Sequence, residues 1–351
     1  MRLNGVSLFA SAGLAEYYLG EIGVNILVAN ELLKERANLY QTQHPQTKMI
    51  CGNILNDEIF GQIIKNSPKN LDFLLASPPC QGMSVAGKNR NQKQMQADKR
   101  NLLIFRVMEF IKLKQPSYIL IENVPNFLKL KFAFENENLD IVQILKRNFK
   151  DYKIEAEIYN AADFGIAQIR KRAIIKMYKN NLKWKNPNKE KTKSVKEVIG
   201  DLPSLEAGET SNLKWHFARK HSQNHIECLK HTKTGESALN NPIFYPTNKG
   251  KKVKAYNTTY KRIKWDEPAP TITIRNDAIS SQHNVHPGRL QKDGTYSDAR
   301  VLTPLELMLL SSLPKEWNIP DDTPELLIRR CIGECIPPLL VKKIVLGIGA
   351  S

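Results

Sequence analysis

The sequence predicts an α/β fold: a doubly wound, mostly parallel sheet with a smaller, irregular second domain. Three observations predict it. From residue 6 to about 178, short apolar runs alternate with helix-length amphipathic stretches, the pattern of βαβ units. Runs such as Phe73-Leu74-Leu75-Ala76 and Tyr118-Ile119-Leu120-Ile121 are apolar without alternation, as strands covered on both faces must be. The rhythm then fails at Asn180, where the chain becomes basic and loop-rich, and it resumes at Thr303. The implied divisions are 1–179, 180–298 and 299–351, with the last segment returning to the first domain.

Strands are expected at 5–9, 25–30, 72–76, 117–122, 152–159 and 172–178, with a further strand ending just before Gly52. Helices are expected at 13–20, 32–42, 101–114 and 138–148. Thr303 is placed to cap a helix through Leu305-Glu306-Leu307-Met308-Leu309-Leu310. A last helix, about 339–347, should follow Pro337-Pro338, with Gly333 before it as a residue suited to the left-handed conformation.

Charge narrows the class of function. The 351 residues hold 52 Lys+Arg against 35 Asp+Glu, a net charge of +17, which suits a polyanionic partner. Residues 181–264 alone carry +11, interleaved with aromatic residues such as Trp215, Tyr245 and Tyr256. No run approaches the roughly 18 apolar residues of a membrane span. A strand-like segment begins almost at the first residue and leaves no room for a signal peptide, so a cytoplasmic protein is expected. Five cysteines, an odd number without a CxxC pair, argue against a disulfide framework or a structural metal.

In an open α/β sheet, ligands bind beyond the carboxyl ends of the strands, so the residues following each strand belong together. After the first come Phe9, Ala10, Ser11, Ala12 and Gly13, a small-residue turn that lets a ligand approach the backbone. Glu31 follows the second and could accept hydrogen bonds from ribose hydroxyls. Gly52-Asn53-Ile54 follows the third and could hold an adenine ring. The next strand end reads Ser77-Pro78-Pro79-Cys80-Gln81-Gly82-Met83-Ser84, where two prolines preset an extended backbone and present a thiol. The fifth strand ends in Glu122-Asn123-Val124-Pro125. A nucleophile with a neighbouring acid is a covalent-catalysis constellation. Gln168-Ile169-Arg170-Lys171-Arg172 adds two arginines at a spacing that puts them on one face of an extended chain.

Taken in order, these segments resemble the C5-cytosine DNA methyltransferases that use S-adenosylmethionine. Arg300-Val301-Leu302-Thr303-Pro304-Leu305-Glu306 and Gly333 to Pro338 complete the series, so the resemblance spans residues 5 to about 345. The chain departs from the family at Ser7, where an acid is usual; at Ser11 and Leu14, usually glycine; at Asn53, usually Asp; and at Glu334, usually Asn.

The resemblance implies a Rossmann-like methyltransferase fold and a division of labour among these residues. Cys80 would add to cytosine C6, Glu122 would meet the N3 and N4 edge, Arg172 would contact the O2 side, and Arg170 would help hold the ring or a phosphate. S-adenosylmethionine would lie against Phe9, Ala10, Ser11, Ala12, Gly13, Glu31, Leu32, Asn53, Ile54, Pro79, Leu103, Glu334 and Cys335. No metal is implied. The basic segment occupies the place of the family's target-recognition domain. There, Lys251, Lys252, Lys254 and Arg262 suit phosphates, while Thr271, Gln81 and Ser84 would also touch DNA. Duplex DNA is the expected partner, the target cytosine flipping out of the stack, with a cognate restriction endonuclease as a possible second. A monomer suffices for the chemistry. Competing readings are a tRNA cytosine methyltransferase and a non-catalytic DNA-binding protein on the same fold.

Overall fold

The computed structural model describes residues 2–79 and 103–349. Strands β1 (Leu3–Leu8), β2 (Val24–Glu31), β3 (Lys48–Cys51), β4 (Phe73–Ala76) and β5 (Tyr118–Asn123) pair in parallel in the order β3-β2-β1-β4-β5. Two antiparallel strands, β9 (Lys171–Lys179) and then β8 (Tyr152–Asn160), extend the sheet beyond β5. All four residues of β4 and all six of β5 are buried, the reason these segments read as continuous apolar runs.

Helices cover both faces. On one, α2 (Asp57–Asn66), α3 (Leu103–Lys114) and α4 (Ile141–Asn148) bring Phe60, Val107, Phe110 and Ile144 against Val6, Leu8 and Ile119. On the other, Tyr40 of α1 (Lys34–Gln43), Trp184, and Leu340 and Ile344 of the final helix pack against Phe73 and Leu120. The helices start where the sequence offers caps. Asn56 accepts from the Glu58 and Ile59 amides, and Asp140 forms a reciprocal capping box with Gln143.

Two expected helices differ. Residues 13–20 form turns, followed by a single 3-10 turn at Gly20–Ile22. Phe9, Ser11 and Gly13 have φ of 61°, 49° and 77°, and three left-handed residues so close together cannot start an α-helix. The hydrogen bonds beyond them, Tyr17 N to Leu14 O and Leu19 N to Glu16 O, span three residues rather than four. The helix expected at 138–148 begins only at Ile141, because the chain first pairs β6 (Lys131–Phe134) with β7 (Glu137–Asp140).

Residues 180–298 are mostly irregular, with short helices α5 (Val195–Ile199) and α6 (Gln223–Lys230) and a small pairing of β10 (Thr247–Asn248) with β11 (Lys251–Lys252). Cys228, Leu229, Ala238, Tyr260, Ile279 and Val285 join Ala299 and Val301 in a separate small core. Val195, Ile199, Ile263 and Ile272 instead pack on α7 (Pro304–Leu310) and α8 (Glu325–Glu334), which precede α9 (Pro338–Val345).

Beneath this junction lies a buried charge cluster that explains the Arg300 to Glu306 segment. Glu306 completes a capping box with Thr303, as the sequence anticipates for Thr303. The Arg300 guanidinium grips both Glu306 oxygens, at 2.8 and 3.0 Å, and Asp298 at 2.8 Å. Burial opposes ionisation of Glu306, but Arg300, together with His286 and the Thr303 amide, outweighs it and holds the carboxyl down to about 2. Gly333 is not left-handed. It sits inside α8, where an added Cβ would lie 2.3 Å from the Thr273 carbonyl oxygen, so its role is close approach.

Arg262 is a correction. It was expected on DNA phosphates, yet it is fully buried, donating to the carbonyls of Leu229, His286, Ser297 and Asp298 at 2.8–3.3 Å. Its removal would take their donor from the His286 and Ser297 carbonyls, while those of Leu229 and Asp298 keep the Thr232 and Arg300 amides, and would leave Asp298 less screened. Arg262→Ala should therefore cost about 3 kcal/mol or more in urea denaturation. A loss below about 1 kcal/mol would contradict a structural role.

Candidate active site

The site forms where β5 ends and β9 begins. Asn123 donates from Nδ2 to the Pro78 carbonyl at 3.0 Å and accepts from the Val124 amide at 2.8 Å, which stitches the exit of β4 to that of β5. The Pro78-Pro79 turn is thereby held beside Glu122. Cys80, Gln81 and Ser84, expected here from the sequence, lie outside the described residues.

Because β9 runs antiparallel to β5, with Asn123 opposite Ala173, its first residues enter at the carboxyl end of β5. This brings Arg172 onto Glu122, Nε to Oε1 at 2.8 Å, with both side chains about nine-tenths buried. Burial raises the affinity of Glu122 for a proton above the ordinary carboxylate range; Arg172 and Arg170 pull it back only in part. The result is a carboxyl at a strand end that can hold or share a proton, beside a fixed cation.

Arg170 is brought to the same place but does not face a ligand as expected. Its side chain is 1% exposed, and its terminal nitrogens donate to the carbonyls of Ile272 (2.6 Å) and Gly333 (2.9 Å). That burial leaves the guanidinium no exposed face for a phosphate, and its Nε is enclosed without a partner. Arg170 instead ties the entrance of β9 to α8 and to the segment around Ile272. Gln168 supports the same junction, donating to the Leu310 carbonyl and the Ser311 hydroxyl. Thr271, expected at DNA, donates its hydroxyl to the Ile169 carbonyl at 2.7 Å and so sits beside the arginine pair.

The other half of the site lies along β1, β2 and β3. Glu31 caps β2 with each oxygen accepting one amide at 2.9 Å: Oε2 from Ser11 and Oε1 from Leu33. The carboxylate retains lone pairs for a diol. Asn30 donates to the Ile50 and Gly52 carbonyls, fixing the β3 exit alongside. Phe9 to Gly13 wrap over this edge, the Ala10 amide donating to Asn30 O at 2.9 Å. Ala12 is fully buried. Gly13 is required twice, by its φ of 77° and by the His44 ring, 2.5 Å from where a Cβ would stand. An edge with a two-oxygen acceptor, a close backbone loop and an exposed Leu32 fits the ribose and base of a nucleoside.

Other expected residues are placed less directly. Asn53 is exposed and accepts from the Leu55 amide in a local turn. Ile54 is 2% exposed and packs into the core with Phe60 and Leu74, whereas Leu32 and Leu55 are exposed. Leu103 opens α3 and is buried. Glu334 pairs with Arg36 at 2.5 Å, joining α8 to α1. Cys335 lies within electrostatic reach of Arg170, Arg172 and Glu122, its thiol pushed up to about 11 by burial. The described cysteines are free thiols, and Lys251, Lys252 and Lys254 are exposed as expected.

Comparison with known proteins identifies the family. The model of the C-5 cytosine-specific DNA methylases matches residues 3–350. Type II methyltransferase M1.HgaI of Avibacterium volantium is 56% identical over 345 residues, covering 97% of each chain. Type II methyltransferase M1.HphI of Haemophilus parahaemolyticus is 26% identical, covering 98% of this chain and 86% of its own. Among solved structures, Spodoptera frugiperda DNMT2 superposes with a TM-score of 0.61 at 16% identity, over 98% of both chains, a likeness of fold. The chain belongs to the C-5 cytosine-specific DNA methylase family. It is an enzyme, a DNA (cytosine-5-)-methyltransferase with a Rossmann-like fold.

The position of Glu31 gives a direct test. Glu31→Gln keeps the side chain's size but removes its charge and one acceptor, which should weaken a nucleoside-bearing cofactor about tenfold or more in calorimetric titration. Unchanged affinity would place the nucleoside elsewhere.

Proposed function

We propose that the protein transfers a methyl group from S-adenosylmethionine to C5 of a flipped cytosine in a specific duplex sequence, through a covalent bond between Cys80 and cytosine C6. The observation that carries this reading is the Glu122–Arg172 pair, held by Asn123 beside the turn that leads into Cys80. When bound, the cofactor supplies an electrophilic methyl group.

The protein's own residues do the remaining work. The Cys80 thiolate adds to C6, which makes C5 electron-rich enough to be methylated. Charge develops toward N3 during that addition, and Glu122, with its raised proton affinity, donates a hydrogen bond there while accepting from N4. Arg172 orients Glu122 and offers its guanidinium toward O2. Loss of the C5 proton then breaks the S–C6 bond and frees Cys80.

Residues 180–298 act as the target-recognition domain in this reading, supported by their separate small core and their exposed lysines. Lys251, Lys252 and Lys254 reach phosphates from and beside the small hairpin, with Lys252 seated 4.5 Å over the Tyr245 ring. Similarity to proteins named type II methyltransferases supports a role as the modification half of a restriction–modification pair, acting in the cytoplasm, and the chemistry needs only a monomer.

The covalent step is tested with duplexes carrying 5-fluorocytosine, whose fluorine cannot leave as the C5 proton does. The wild type should form an adduct stable to denaturing electrophoresis, and Cys80→Ser should form none while still binding DNA. An adduct that persists in Cys80→Ser would remove Cys80 from its role.

A further inference from the structure

Residues 180–298 hold four arginines, and three of them are occupied. Arg219 pairs with Glu325, Arg262 is buried among carbonyls, and Arg289 pairs with Asp298. Arg275 is exposed, and its guanidinium has no hydrogen-bond or ion-pair partner among the described residues. Its neighbour Ile274 is 41% exposed, an apolar side chain left in water beside a free cation.

The backbone that carries these two side chains is fixed. Asn276, 1% exposed, donates to the Thr273 carbonyl at 2.7 Å and to the Arg329 carbonyl at 3.0 Å, while Arg329 donates back to the carbonyl and side-chain oxygens of Asn276. The Thr273 carbonyl oxygen and the Ile274 amide nitrogen lie 2.3 and 2.7 Å from where a Cβ on Gly333 would stand. The tip is thus clamped to α8, so its backbone needs little further ordering to bind a partner.

Arg170 sets the position of the tip. It holds the Ile272 carbonyl at 2.6 Å and lies within electrostatic reach of Glu122 and Arg172. From Ile272 to Arg275 the chain can span at most about 10 Å, or roughly three base-pair steps of a duplex.

We infer that Arg275 is a specificity-determining residue: its guanidinium reads a guanine in the major groove within about three base pairs of the target cytosine, with Ile274 seated against neighbouring base edges. The inference rests on the reading above, in which the protein modifies a cytosine in a specific duplex sequence. A planar guanidinium matches O6 and N7 of guanine with two parallel hydrogen bonds, which the point charge of a lysine cannot do. Two features separate Arg275 from Lys251, Lys252 and Lys254. A phosphate contact asks for charge and tolerates a mobile side chain, whereas a base contact asks for donors fixed in register, and the clamp on α8 supplies that. Ile274 gains nothing from a phosphate, whereas base edges offer apolar surface, the thymine methyl group included.

Methylation of a randomised duplex library by the full chain, read by bisulfite sequencing, tests this. The wild type should require guanine at one fixed position within about three pairs of the modified cytosine. Arg275→Ala should relax that position alone, lowering the preference for guanine about tenfold to a hundredfold while the rest of the site stays selective. Arg275→Lys, which keeps the charge without the paired donors, should relax it as well. Both variants should keep the wild-type melting temperature and the wild-type salt dependence on non-specific duplex, since the side chain is exposed and touches no phosphate. Unchanged target choice in Arg275→Ala with a salt slope smaller by about one would make Arg275 a phosphate contact and overturn the assignment. Full preference in Arg275→Lys, or wild-type sites with no guanine in that window, would overturn it too. A wild type that methylates cytosine without regard to sequence context, or not at all, would instead overturn the proposed function.

Discussion

The pairing of Glu122 with Arg172 depends on a reversal of chain direction. Five parallel strands all exit at one edge, so each can deliver there only the residues at its own carboxyl end. An antiparallel β9 beside β5 brings the start of a strand to that edge, and with it a guanidinium 2.8 Å from a buried carboxyl. Neither group is comfortable alone there. Burial pushes the carboxyl toward its neutral form, and the arginine restrains that shift without cancelling it. The acid is thus left with an affinity for protons that an exposed glutamate lacks.

The same edge is where the irregular part of the chain is fastened. Arg170 binds carbonyls on the Ile272 segment and on α8, and Gly333 allows those two backbones to touch. Further along the chain, Arg300 locks Glu306, Asp298 and the start of α7 into one buried cluster. Breaking such a cluster leaves unpaired charge in the interior, at a cost of several kcal/mol. The segment beyond the arginine pair is therefore joined to that edge through polar contacts of defined geometry.

Much of this was legible in the sequence. Continuous apolar runs marked β4 and β5 because both faces are covered, and Thr-x-x-Glu marked the start of α7 because the cap is local. Glu31 and Glu122 could be set at one edge because parallel strands exit together, and Arg172 stood out through its spacing of two from Arg170. The features that escaped were set by distant partners. Arg262 and Arg170 looked like surface cations, and nothing local shows that carbonyls from four and two separate positions enclose them. The loop after β1 looked helical because apolar spacing does not report left-handed residues at Phe9 and Ser11. The buried hydrogen bond from Ser7 to Glu16 was hidden by that misreading, although a polar Ser7 within a buried strand was a trace of it.

The central claim, that this edge directs a methyl group to carbon 5 of cytosine in DNA, is tested most directly by nucleoside mass spectrometry. DNA from cells expressing the protein should contain 5-methyldeoxycytidine that is missing from control cells, and bisulfite sequencing should place it in one sequence context. Methylation found on the exocyclic nitrogen of cytosine or on adenine, with none at C5, would contradict the account.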